Sequence, residues 1–221
     1  MDIDIDPEHD DRRTQLLKLG LKLFGSRSYE DVSIDDIARE AGVSKGLMYH
    51  YFGGKRAFYT EVIRWTASFV ENLVLPRPQL SPMENLRRGL TNYFEFVEAR
   101  ATAYLILMHG GLGMDDSVNT ILNATRDSIV TQTIQAMEID PSQPRIRMIV
   151  RSWVGSVEAA SLEWLAQPKL PLEELVEFFT HSLSLQLTLA MPEPMRRSFI
   201  PDDKTIESLL PILRAAVDKE E

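Results

Sequence analysis

From Arg12 to Met191 the apolar residues recur at helical spacing, and no stretch of useful length alternates as a strand would. Leu16, Leu17, Leu19, Leu23 and Phe24 share one broad face of a first helix, which Gly25 and Ser26 are placed to end. Ser33 and Asp36 have the spacing of a capping box, so a second helix is predicted to start there. Ile34, Ile37, Ala38 and Ala41 follow at i, i+3, i+4 and i+7 and give it one buried stripe. Gly42 suits the positive φ needed just after that helix, and Ser44 suits the N-cap of the next. Two short helices joined by so brief a turn have helix-turn-helix spacing, in which the second can lie in a DNA major groove.

Further along, Phe58, Val62, Trp65, Phe69 and Leu73 predict a helix over about 55–75, broken by PRPQLSP. Met83, Leu86, Leu90, Tyr93, Phe94 and Val97 mark the next, and residues 104–108 a short one ended by HGGLG. Val118, Ile121, Leu122, Ile129, Ile134 and Met137 mark another. Two long helices, about 144–167 and 171–191, each carry a proline near the first turn, where its missing N–H is harmless. A short segment near 204–217 contains Pro211, which would kink or divide a helix. The expected fold is all-α: a three-helix helix-turn-helix domain over residues 12–56, then a helical body over 57–191 whose first helix (57–75) links the two. An acidic, disordered tail (1–11) and an extension (192–221) flank them.

The chain of 221 residues has a net charge of -9, which speaks against general nucleic-acid binding, but the charge is uneven. Residues 12–56 hold nine Lys or Arg against five Asp or Glu, whereas residues 1–11 and everything after Arg56 are acidic. A basic module therefore precedes an acidic body. No cysteine is present, which removes disulfides, thiolate metal sites and cysteine nucleophiles. The four histidines are too scattered for a recognisable metal motif, and no metal or cofactor is expected. The acidic start is unlike a secretory signal and no apolar run approaches the roughly 18 residues of a membrane span, so a cytoplasmic location without membrane association is expected.

The segment KGLMYHYFGGK carries the chemistry. At roughly 100° per residue, Met48 and Phe52 point the same way, flanked by Tyr51 and Lys45, while Gly46, Leu47, Tyr49 and His50 occupy the opposite arc. The first pair is core; the second set suits a groove. Gly46 permits close backbone approach, Tyr49 and His50 can bond phosphates or base edges, and Leu47 can touch a thymine methyl. Lys45 and Lys55 bracket the helix as phosphate contacts, and the N-caps at Ser33 and Ser44 present free N–H groups to phosphate oxygens. Taken singly, the aromatic residues are equally well explained as packing and the lysines as solvated.

The ordered combination in LFGSRSYEDVSIDDIAREAGVSKGLMYHYFGGK resembles the DNA-binding domain of the tetracycline-repressor (TetR) family, over residues 12–56, and the chain length and all-helical pattern resemble it too. The resemblance implies a fourth helix linking to a ligand-binding domain, and a homodimer formed largely by the last two long helices. It implies a double-stranded operator as partner and repression relieved by a small-molecule effector. Position by position, it implies that Lys45, Gly46, Leu47, Tyr49, His50 and Tyr51 face DNA and that Lys55 holds a phosphate. Three positions depart from the family pattern. Leu47 replaces a usual Thr, Ser or Ala, Ser28 stands where Gly is usual, and Gly53-Gly54 loosens the joint into the fourth helix.

In the body, Ile146, Ile149, Val150, Trp153, Val157, Ala160 and Trp164 form one apolar stripe, with Gly155, Ser156 and Ala159 interspersed. Leu172, Leu175, Val176, Phe179, Leu183, Leu187 and Ala190 form another. Two such helices from each of two chains would make a four-helix interface; an intramolecular core fits the same periodicity. Tyr93, Phe94, Tyr104, Met108, His109, Trp153, Glu158 and Trp164 are the candidate lining of a mostly apolar effector pocket, each also explicable as core. His109 stands out because it sits beside a glycine-rich break. A rival reading, an all-helical hydrolase using His109 and HGGLGMD, lacks the Gly-x-Ser-x-Gly elbow that would supply its nucleophile. On this reading the chain is a regulator and not an enzyme.

Overall fold

The computed structural model describes residues 12–109, 116–167 and 170–190, with the side chains of Leu107 and His109 excepted. The acidic tail, the glycine-rich segment after His109 and the predicted helix near 204–217 lie outside the described residues. Among the described residues every regular element is a helix: α1 (Arg12–Ser26), α2 (Ile34–Ala41), α3 (Lys45–Phe52), α4 (Lys55–Leu73), α5 (Pro82–Ala99), α6 (Ala101–His109), α7 (Asp116–Ala136), α8 (Pro144–Ala166) and α9 (Leu172–Ala190). The protein is all-α, with an N-terminal helix-turn-helix head and a helical body.

Capping chemistry sets the boundaries as the sequence predicts. Ser33 Oγ accepts from Asp36 N at 3.0 Å and the Asp36 carboxylate accepts from Ser33 N at 3.2 Å, completing the box that starts α2. Ser81 and Glu84 form a second box at the start of α5, one that the sequence reading passed over. Gly42 closes α2 in the left-handed region, φ 63°. Gly53 (φ 75°) and Gly54 (φ 155°) both occupy backbone regions that favour glycine. That pair therefore shapes the turn into α4 with backbone that other residues rarely adopt. Ser28 needs no positive φ; its hydroxyl donates to Asp31 Oδ2 at 2.7 Å and steadies the α1–α2 loop.

One apolar core runs through head and body. Leu16, Leu17 and Leu23 of α1 share it with Val32, Ile37, Met48 and Phe58, and the cluster extends to Phe94, Tyr104, Ile134 and Leu183. α4 packs on α1 and α7, α1 also packs on α6, and α5 packs on α9. The α1–α6 contact is close. A Cβ added at Gly25 would lie 1.9 Å from Thr102 Cγ2, so the two helices approach on a glycine. Arg87 of α5 ties to Glu177 of α9 by Nε–Oε1 and Nη2–Oε2 bonds of 2.6 and 3.1 Å.

The structure corrects the faces assigned to α8 and α9. Ile146, Val150, Trp153, Val157 and Trp164 are buried inside the protomer, as are Leu175, Val176, Phe179, Leu183 and Leu187. Those stripes therefore build the protomer's own core. The outward faces carry Met148 on α8, with exposed Ser152, Gly155, Ser156 and Ala159, and Phe178, Leu185 and Leu189 on α9. Met148 is 65% exposed and Leu189 66%, an unusual display for large apolar side chains. Periodicity located a stripe correctly but could not say which of two apolar faces would find a partner in the same chain.

Candidate nucleic-acid interface and internal cavity

α3 is held from beneath and left bare above. Met48 is fully buried and Phe52 nearly so, the latter edge-on to Phe58 with ring centroids 4.7 Å apart. Gly46, Tyr49 and His50 are exposed on the other side, with Leu47 half-buried. Ser44 Oγ accepts from Leu47 N at 3.2 Å and so engages one of the free N–H groups of the first turn. Tyr51, placed in the flank by the wheel, is 38% exposed and stands edge-on to His50.

The two lysines have partners within the head. Lys45 Nζ lies 2.9 Å from Asp35 Oδ1, a bridge from α3 to α2, and this hydrogen bond raises the lysine's pKa. Lys55 Nζ donates to the Glu30 carbonyl at 3.2 Å and sits 4.3 Å from the centre of the Tyr29 ring. It thereby pins the α1–α2 loop to the start of α4. An open groove beside α3 runs from Tyr51 across Gly53, Gly54, Lys55 and Arg56 to Arg13 and Arg64. Arg13 and Arg64 both pair with Glu61. The sequence reading overlooked these arginines, because α1 and α4 come together at α3 only in the fold.

Gly46 is informative because nothing within the protein requires it. A Cβ there would have only Ser44 Oγ nearby, at 3.8 Å, and the residue sits in an ordinary helix. Glycine in a helix interior costs about 1 kcal/mol relative to alanine, and part of that cost applies at this second helical position. The free protein offers no packing return for that cost.

Within the body, α4 to α8 enclose a cavity of about 80 Å³. Tyr93, Tyr104, Met108, Trp153 and Glu158 from the candidate set line it together. Phe94 and Trp164 do not; they pack edge-on to each other, centroids 5.8 Å apart, and Trp164 Nε1 donates to the Leu170 carbonyl. The His109 side chain lies outside the described residues. Val70 and Val74 from the α4 end, Leu86 and Leu90 from α5, and Leu122 and Ile129 from α7 complete most of the apolar wall. Sequence reasoning missed them because helical spacing marks a residue as inward without showing whether it meets a neighbour or a void.

The polar side of the cavity is a connected set. Tyr93 and Tyr104 hydroxyls lie 2.9 Å apart, and Tyr104 donates to the Glu158 carbonyl at 3.1 Å. Burial pushes the Tyr104 phenol up to about 12 and the Tyr93 phenol well above its ordinary value, so both stay protonated at neutral pH. Arg126 Nε donates to both Glu158 oxygens, at 2.9 and 3.0 Å, joining α7 to α8. Arg126 was absent from the candidate set; on a helical wheel it reads as a solvated charge.

Comparison with known proteins bears on both regions. Residues 16–62 match the family described as bacterial regulatory proteins, tetR family, and residues 82–185 the family described as tetracyclin repressor-like, C-terminal domain. The HTH-type transcriptional activator FasR of Mycolicibacterium smegmatis is 26% identical over 163 residues, 71% of this chain and 73% of that protein. The HTH-type transcriptional repressor KstR2 of the same organism is 32% identical over 100 residues, 43% of this chain and 47% of that protein. A tetR-family transcriptional regulator from Streptomyces coelicolor superposes with a TM-score of 0.79 at 29% identity, covering 94% of this chain and 97% of its own.

Proposed function

We propose, for a chain that belongs to the tetR family of bacterial regulatory proteins and so is a transcriptional regulator, that it acts as a cytoplasmic homodimeric repressor released from a pseudo-palindromic operator by a small, largely apolar effector. The observation that carries this reading is α4. Its first residue, Lys55, abuts α3 and the α1–α2 loop, while Val70 and the adjoining Val74 form cavity wall. A single helix thus spans the distance from the bare face of α3 to the void in the body. Small ligands generally occupy several hundred Å³, so an effector has to widen a cavity of about 80 Å³ and displace its walls, α4 among them.

DNA contact is assigned to Gly46, Leu47, Tyr49, His50 and Tyr51, with Lys45, Lys55 and the α2 and α3 N-termini at Ser33 and Ser44 toward phosphates. Lys45 would exchange or share Asp35 on binding. The room above Gly46 supports this, since close approach by an outside surface accounts for a glycine that the fold does not need. The same logic applies at Gly155 of α8, where an added Cβ would meet nothing within 4 Å, on the outward face beside Met148. That face, with Phe178, Leu185 and Leu189 of α9, is the surface through which two copies would pair. Two-fold pairing would set the reading helices roughly 34–36 Å apart, one turn of DNA.

The hydrolase alternative has no support, since both matched families are regulators. The sign of regulation follows where the operator lies relative to the promoter. Fluorescence anisotropy with DNA from beside the protein's own gene, against a scrambled duplex across a salt series, tests the reading. Preferential, salt-dependent binding is expected. Equal weak binding to both duplexes would count against an operator at that locus, and a genome-wide binding selection that also found no preferred site would overturn the proposal.

A further inference from the structure

The cavity's polar groups constrain the effector, and the inference that follows rests on the cavity being the effector site. Among the tyrosyl and charged groups on the wall, the tyrosine hydrogens are already engaged: Tyr93 donates to Tyr104, and Tyr104 to the Glu158 carbonyl. Glu158 engages only Nε of Arg126, and no other described residue bonds to the two terminal amino groups of that arginine. With the hydroxyls of Thr125 and Thr133, these amino groups are the hydrogen-bond donors that remain on the wall among the described residues, and they alone carry charge. The Arg126 and Glu158 side chains are only 25% and 21% exposed and lie 2.9 Å apart, an ion pair on the cavity wall. A ligand carboxylate brought to Arg126 would place a second anion beside Glu158 in a poorly solvated site, where like charges disfavour ionisation. A neutral acceptor meets no such penalty.

We infer that the effector is an uncharged, mostly apolar molecule with a carbonyl-type oxygen at its polar end, held by the terminal amino groups of Arg126 while Glu158 keeps the arginine neutralised. The apolar part would lie against Leu86, Leu90, Leu122 and Ile129. The pair thus selects by charge, rejecting a fatty acid and accepting the ketone, ester or amide of the same length.

A matched pair of probes, 2-nonanone and nonanoate, tests this at pH 8. Trp153 stands on the cavity wall, so its fluorescence reports binding. Wild-type protein should bind 2-nonanone at least tenfold more tightly than nonanoate. Glu158→Gln, in protein shown to be folded, should raise nonanoate affinity about tenfold, because it removes the anion that opposes a ligand carboxylate. The paired R126M/E158M variant, which leaves no lone buried charge, should fold and bind 2-nonanone about tenfold more weakly. Nonanoate binding to wild type as tightly as the ketone, or unchanged ketone affinity in R126M/E158M, overturns the charge inference and leaves the cavity as a site. If neither probe binds, or if binding survives cavity filling by Leu122→Trp and by Val154→Phe in variants shown to be folded, the cavity reading falls and the inference with it.

Discussion

Gly46 and Tyr49 test the proposed DNA contact apart from the needs of the fold. Gly46→Ala adds a methyl into open space and restores helix propensity, so thermal stability should rise, by up to about 1 kcal/mol. Operator affinity should nevertheless fall, measured by anisotropy on the same preparation; unchanged affinity would remove the argument for close approach. Tyr49 is 48% exposed, so Tyr49→Ala should alter stability by less than about 0.5 kcal/mol. Its operator binding should weaken about 5- to 100-fold, the range for a lost base-edge contact. Retained affinity would mean that another part of α3 enters the groove. Both positions were legible in the sequence, because α3 is short, capped and two-faced. The partners of Lys45 and Lys55 were not, since Asp35 and Glu30 lie on other segments.

At the scale of elements, two junctions carry testable consequences. Where α1 meets α6, Gly25→Ala should destabilise by about 1–3 kcal/mol, because the new methyl overlaps Thr102 Cγ2. Thr102→Ser removes that carbon, so the double variant should recover part of the loss in chemical denaturation. Recovery of nothing would mean that the strain lies elsewhere, with Ile106 Cδ1 at 3.1 Å the next neighbour. Where α5 meets α9, the Arg87 hydrogen bond holds the Glu177 carboxyl below its usual range. A lowered folded-state pKa gives stability that is present above the unfolded value, near 4.5, and is lost as pH falls through the folded value. Both side chains are more than a third exposed, so screening limits the contribution to about 0.5–1 kcal/mol. Glu177→Gln should therefore lower the melting temperature by a degree or two at pH 7 and make progressively less difference below pH 4. A deficit that persisted undiminished at pH 3 would point to packing instead of charge.

For the whole molecule, the proposed pairing through the outward face of α8 and α9 makes a prediction about assembly. Leu185 and Phe178 are 54% and 61% exposed in the single chain, so replacing either by Glu has little reason to disturb the protomer. Sedimentation should show L185E and F178E as monomers with unchanged helix content. Operator affinity should collapse with the dimer, since one head alone lacks the second half-site. A dimer that withstands both substitutions would place pairing on another surface. The proposed assembly and effector response belong to the same scale, because α8 contributes Trp153 and Glu158 to the cavity and Met148 and Gly155 to the outer face.

The sequence alone determined the helices, because apolar spacing and capping side chains act within a few residues of one another. Ser33 with Asp36, Gly42 and Ser44 define the helix-turn-helix locally, and the inward pair Met48 and Phe52 orients α3 without reference to any distant segment. The family was legible for the same reason, its motif being a run of local signals. Only the tertiary structure decided which stripes of α8 and α9 stay within the protomer, since an apolar face seeks burial without specifying whose surface supplies it. It also decided that Arg126, on α7, would meet Glu158, on α8, across a void. A cavity is a failure of separate helices to meet, and no single helix carries its record.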